Sequence, residues 1–183
     1  LIGGLLIDEL TRHFAAVSQI KAPDLRPYIW RPGQATKIWI GNHYDIDVKT
    51  AGMRPALVVK RHSAQNTTLT IADSAGSTPE GFETFITQWV GSHTVFCWNS
   101  LGAGTELLGG EVAQDVTEFG PVIRRQFGLK AWKVIDIGPV ADFEENKEGF
   151  VVPVTVGWAY EHKWMLEIES RRLKKIRIPG LME

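Results

Sequence analysis

The sequence predicts one α+β domain: an N-terminal helix, a mixed and mostly antiparallel sheet, a central helix packed across it, and a long C-terminal β-hairpin. Three observations carry this. Apolar residues recur every three or four positions over residues 2–17, and again over 107–127, the period of a helix with one buried face. Short β-branched and aromatic runs fall between and after these stretches. Residues 152–168 then alternate with a period of two, the longest periodic signal in the chain. The expected segments are a helix at 1–20, an extended connector at 21–37, a sheet-and-helix core at 38–168, and a basic arm at 169–183.

In the first helix the stripe is Ile2, Leu5, Leu6, Leu10, Phe14 and Val17. Pro23, Pro27 and Pro32 forbid regular helix in the connector, where Tyr28, Ile29 and Trp30 are expected to dock on the core. Residues 38–48 alternate well enough for a bent strand or a strand pair. Residues 56–60 and 67–72 read as two strands joined by a polar hairpin at 62–66. Residues 82–90 are ambiguous, and 94–98 read as a buried strand. The central helix follows, with apolar positions 107, 108, 112, 116, 119, 123 and 127. Gly120-Pro121 predicts a kink or a break there. Arg124, Arg125 and Gly128 suit its C-terminus. Residues 132–137 form the next strand, and 142–149 an acidic turn.

The final alternation places Val152, Val154, Val156, Trp158, Tyr160, His162, Trp164, Leu166 and Ile168 on one face. Extended to its full length, this strand would span roughly 56 Å, against a radius of gyration near ~16 Å for a globule of this size. It must bend, as at Gly157, or project beyond the body. An overlong strand with an aromatic face needs something to bury against, so Trp158, Tyr160, His162 and Trp164 are candidate interface residues. The basic residues Arg171, Arg172, Lys174, Lys175 and Arg177 interleave with Leu173 and Ile176 and read as an interface arm.

Composition excludes several classes. The chain has 183 residues, with 20 basic and 21 acidic, for a net charge of −1. That gives no strong overall attraction to nucleic acid or anionic membrane. A single cysteine, Cys97, cannot form an intrachain disulfide. No apolar run approaches the ~18 residues of a spanning helix. The apolar stretch at residues 1–7 meets Asp8 and Glu9 at once, so no signal peptide is expected. A reducing compartment is the default expectation.

The sharpest chemical constellation is His43, Asp45, Asp47 and Lys49. On a strand these share a face, where two carboxylates and an imidazole could hold a divalent cation beside a lysine, as in a metal-dependent nuclease or hydrolase. Simple alternation explains the same residues, with Tyr44, Ile46 and Val48 buried and the polar set in water. The glycines at 102, 104, 109 and 110 sit where phosphate loops occur. The dinucleotide spacing fails at Leu107, however, and Glu111 stands where a P-loop needs lysine. His93 and Cys97 do not make a zinc site, and apolar neighbours predict a buried, inert thiol. No catalytic, cofactor-binding or metal-ligating residue is therefore assigned.

The element order and texture resemble the tail-terminator or tail-completion proteins at the neck of long-tailed bacteriophages. The features that carry this are the amphipathic helix at 2–17, the helix across the sheet at 105–127, and the hairpin of Trp132–Ile137 with Val151–Ile168. Within that hairpin, the stretch from Pro153 to Tyr160 follows an acidic turn, as the closing strand does in such proteins. The connector at 21–33 and the basic end after Ile168 depart from the pattern, which leaves head-closure and other neck adaptor roles open. The resemblance implies a non-enzymatic virion protein assembled in the host cytoplasm. It implies a homo-oligomeric ring, commonly a hexamer, that binds copies of itself, the tail tube and the neck connector. It also implies proximity to packaged DNA without specific binding, and neither cofactor nor membrane.

Overall fold

The computed structural model describes residues 2–33, 36–45, 55–68, 74–77, 82–142 and 149–167. Helix α1 spans Ile2–Ala15. Its stripe at Leu6, Leu10 and Phe14 is fully buried, at the four-residue spacing that keeps side chains on one face. Val17 lies beyond the helix end and is exposed. A 3-10 turn, Pro23–Leu25, interrupts the connector. The Trp30 amide donates to the Phe14 carbonyl at 3.0 Å and ties the connector back to α1.

The strands are β1 (Trp39–Asn42), β2 (Ala56–Thr68), β3 (Ser74–Ser77), β4 (Phe82–Asn99), β5 (Leu129–Ile137), β6 (Ala141–Asp142) and β7 (Phe150–Glu167). Helix α2, Gly102–Phe127, separates β4 from β5. Among the described residues these seven strands form one sheet in the order β1-β2-β4-β7-β5, with β3 on β4 and β6 on β7. The sheet is mixed, since β1 runs parallel to β2. β3 runs antiparallel to β4, and β5 and β6 run antiparallel to β7. The fold is α+β, as the sequence predicts, with the N-terminal helix present and the central helix packed on the sheet.

One expected strand break is absent. Residues 62–66 continue β2 and do not turn. They are polar because that part of the strand is mostly exposed, and no glycine or proline interrupts them. The ambiguous stretch at 82–90 and the strand at 94–98 are one element, β4. A break at Pro121 is also absent, since α2 is helical throughout. It ends at Gly128, whose φ of 66° is left-handed and whose amide reaches the Arg124 carbonyl, as the basic last turn and the glycine predict.

The chain divides by contact into two compact units, Leu1–Gln65 with Val90–Tyr160, and Asn66–Trp89 with Glu161–Glu183. The first holds the core. Leu108, Val112 and Val116 of α2 are fully buried, as are Val95 and Cys97 of β4 and Val154 and Val156 of β7. Gly109 lets α2 approach the sheet closely: a Cβ there would stand 2.7 Å from Val152 Cγ1. Strand β7 contributes Phe150–Tyr160 to this unit and Glu161–Glu167 to the other. In the second unit, Phe85 of β4 stacks on Trp164 of β7 with ring centroids 4.3 Å apart.

Candidate functional site

Within the first unit the even positions of β7, from Val152 to Trp158, face the core and the odd positions between them do not. Val152, Val154, Val156 and Trp158 are buried, and their neighbours Pro153, Thr155 and Gly157 only half so. The predicted aromatic face is therefore divided. Trp158 is 6% exposed within its own chain. Its ring fills the space beside Gly91, where a Cβ would stand 2.5 Å from Trp158 Cζ2. Its Nε1–H donates to His93 Nδ1 at 2.9 Å. Trp158 thus belongs to the core, a correction to the interface expectation; a glycine on the adjoining strand made room for it. Tyr160 is half-buried and stacks on Trp158 at 5.9 Å. His162 is exposed, and Trp164 is 40% exposed despite its stacking on Phe85. Arg171, Arg172, Lys174, Lys175 and Arg177 lie outside the described residues.

The edge of the hairpin is more open than its aromatic face. β5 ends the sheet order, so among the described strands none pairs with its outer side. A register shift between Val134 and Asp136 leaves Ile135 without a partner on β7, as a bulge does. Ile135 leans over Gly157 and is 53% exposed, and Ile137 is 52% exposed. Val140 follows, also exposed. Sequence reasoning assigned 132–137 to a strand but had no signal for which of its apolar residues would face water.

His43 and Asp45 of the candidate metal cluster do not lie on a strand. β1 stops at Asn42, and the Asp45 amide returns to the Asn42 carbonyl at 3.0 Å, closing a turn. Tyr44, expected to be buried, is 79% exposed there. His43 and Asp45 therefore sit on a turn, while Asp47 and Lys49 lie outside the described residues. The glycines at 102, 104, 109 and 110 lie inside α2 and not in a loop before it. Among the described residues, no group of three histidine, cysteine or acidic side chains is arranged to hold a metal. No helix there is long and apolar enough to cross a membrane.

His93 and Cys97 are buried on the helix-facing side of β4. Burial, reinforced by Arg61 and His62, lowers the His93 pKa to about 4. It is therefore neutral near pH 7, as its acceptance of the Trp158 N–H requires. Burial pushes the Cys97 thiol well above its ordinary value, the inert state that its apolar neighbours predict.

A polar cluster escaped the sequence reading. His13 of α1 lies between two acids of α2, with Nε2 2.8 Å from Glu111 Oε1 and Nδ1 2.9 Å from Asp115 Oδ1. All three side chains are nearly inaccessible. Glu111 also accepts the backbone amides of Lys21 and Ala22, at 2.9 and 3.0 Å. The Asp115 contact has ion-pair distance but not hydrogen-bond alignment, and neither Asp115 oxygen accepts a hydrogen bond among the described residues. A cavity of about 240 Å³ adjoins the cluster, lined by all three side chains together with Lys21 and Glu118, which form a salt bridge. The available signal was that Glu111 and Asp115 are four residues apart, each directly before a stripe position, Val112 and Val116.

In comparisons with known proteins, no family model and no curated sequence matches this chain.

Proposed function

We propose that this chain is a non-enzymatic structural subunit that assembles with copies of itself into a ring, in the manner of a phage tail-terminator or related neck protein. The observation that carries the reading is the outer edge of β5, which no described strand pairs, where Ile135 and Ile137 each keep about half of their surface in water. An unpaired strand edge with exposed β-branched residues is a template for another chain. A head-to-tail contact built on it closes into a ring when the rotation per subunit allows. The near-zero net charge keeps like subunits from repelling one another strongly. Within the virion such a ring would sit between tail tube and head connector and act by shape, with no cofactor.

The test is the mass of the purified chain in solution, by light scattering over a range of concentrations, with electron micrographs of the same sample. The expected result is a multiple of the 20.4 kDa subunit mass, with ring-shaped particles. Changing Ile135→Lys and Ile137→Lys together should return the chain to monomer. At concentrations low enough that wild type is itself monomeric, the unfolding midpoint of the variant should be nearly that of wild type, because exposed positions contribute within about ±0.5 kcal/mol. A wild-type chain that stays monomeric at every concentration, with no rings, refutes the proposal.

A further inference from the structure

The imidazole of His13 has a carboxylate oxygen within 3 Å of each ring nitrogen. A neutral imidazole carries one N–H and one lone pair. In the neutral form one nitrogen would therefore hold a lone pair within 3 Å of a buried carboxylate oxygen. The arrangement balances only when a proton sits on each nitrogen, and imidazole is the stronger base of the pair. Asp115 makes the point sharper. Its carboxylate is fully buried and accepts no hydrogen bond among the described residues, so the imidazolium charge is what offsets it there.

We propose that protonated His13 is a clamp that fastens α1 and the connector behind it to α2, and that loss of the proton opens it. Three separate pieces of chain meet at this point. His13 lies in the last turn of α1, the Lys21 and Ala22 amides lie in the connector, and Glu111 and Asp115 lie on α2. Glu111 is shared, holding His13 and both connector amides through the same carboxylate.

The other charged groups around the cluster are themselves paired. On α1, Arg12 binds Glu9 at 2.5 Å and lies over the Phe119 ring of α2. At the cavity, Lys21 of the connector pairs with Glu118 of α2. The cavity beside the cluster is lined by His13, Glu111 and Asp115 together with the Lys21–Glu118 pair. Burial by itself would make His13 less basic, but Asp115 and then Glu111 outweigh it, so its pKa is raised above 6.5. The sign follows from linkage. Below pH 6.5 the closed and open forms both hold the proton, and the clamp has its full strength. Between 6.5 and the raised value only the closed form holds it, so each pH unit favours opening. Above the raised value the loss is complete. Deprotonation leaves two carboxylates buried with no cation between them, a state that opening to solvent relieves.

The experiment is native-state hydrogen exchange on the full chain from pH 6 to pH 9, corrected for intrinsic exchange and read separately over α1 and over β4. The α1 opening constant should rise about tenfold per pH unit above 6.5 and then level off at the folded-state pKa of His13. Exchange over β4 should lack that step. Replacing Asp115→Asn removes one of the two charges that hold the proton, so the rise should level off at a lower pH. An NMR titration of His13 in both proteins gives the midpoints independently. Wild-type α1 exchange that stays flat over this range overturns the proposal even if the variant fails to fold. A rise of equal size over α1 and β4 also overturns it, because the event is then global unfolding. An Asp115→Asn response that matches wild type does the same.

Discussion

Two adjacent glycines in α2 should respond in opposite directions to the same substitution. Gly109 and Gly110 are both interior to the helix, where alanine in place of glycine contributes about 0.8–1 kcal/mol through backbone entropy and propensity. The surroundings differ. A Cβ on Gly110 would meet nothing within 4 Å, whereas one on Gly109 would stand 2.7 Å from Val152 Cγ1. Carbon atoms in favourable contact lie about 3.5–4.0 Å apart, so α2 and β7 would have to separate by close to that difference. Val152 cannot swing aside cheaply, because a β-branched side chain is stiff at its first torsion. Overpacking of this kind costs about 1–3 kcal/mol. Gly110→Ala is therefore expected to stabilise the chain by about 1 kcal/mol. Gly109→Ala is expected to leave it unchanged or to destabilise it by up to about 2 kcal/mol. The propensity gain is common to both, so the gap between the two variants measures the steric cost alone. Urea unfolding midpoints of the two variants and wild type give that gap. If Gly109→Ala proves as stabilising as Gly110→Ala, the close seating of α2 on β7 is refuted.

Stability should peak near pH 6.5, for reasons on both sides. The pKa of His93 is depressed to about 4 in the fold. Its contribution is therefore complete above 6.5 and falls away between 6.5 and about 4, by roughly 3 kcal/mol at about 1.4 kcal/mol per unit. His13 is raised, so its contribution is complete below 6.5 and declines as pH climbs through its folded value. Urea midpoints taken at half-unit steps from pH 4 to pH 9 should trace the dome, and a profile with neither shoulder contradicts both assignments. Cys97 should resist a water-soluble thiol reagent in the native chain and react fully in denaturant, since it is wholly buried with its pKa raised. Rapid labelling of the native chain would show that β4 is open where the fold has it closed.

The sequence by itself determined the elements whose periodicity is sustained. Leu6, Leu10 and Phe14 repeat every four residues, and one buried face of α1 follows. The valines of β7 alternate, and their burial follows as far as Trp158. Beyond that point the pattern continues in the sequence but not in the burial, since His162 and Trp164 are exposed. Period specifies which residues share a face. It does not specify whether anything lies against that face.

Tertiary structure decided the rest. The polar stretch at 62–66 looked like a turn because polarity marks both turns and exposed strands, and only the sheet pairing separates them. His43 and Asp45 looked like strand neighbours until the backbone turned at Asn42. Trp158 could be assigned to the core only once β4 placed Gly91 beside it. His13 and Glu111 meet across 98 residues of chain. Neither is marked by its own segment as the other's partner, and the meaning of the charges appears only when the packing of two helices removes the water between them. Local spacing reports the geometry of one element, whereas desolvation and charge pairing depend on which elements meet, and here the fold alone supplied that.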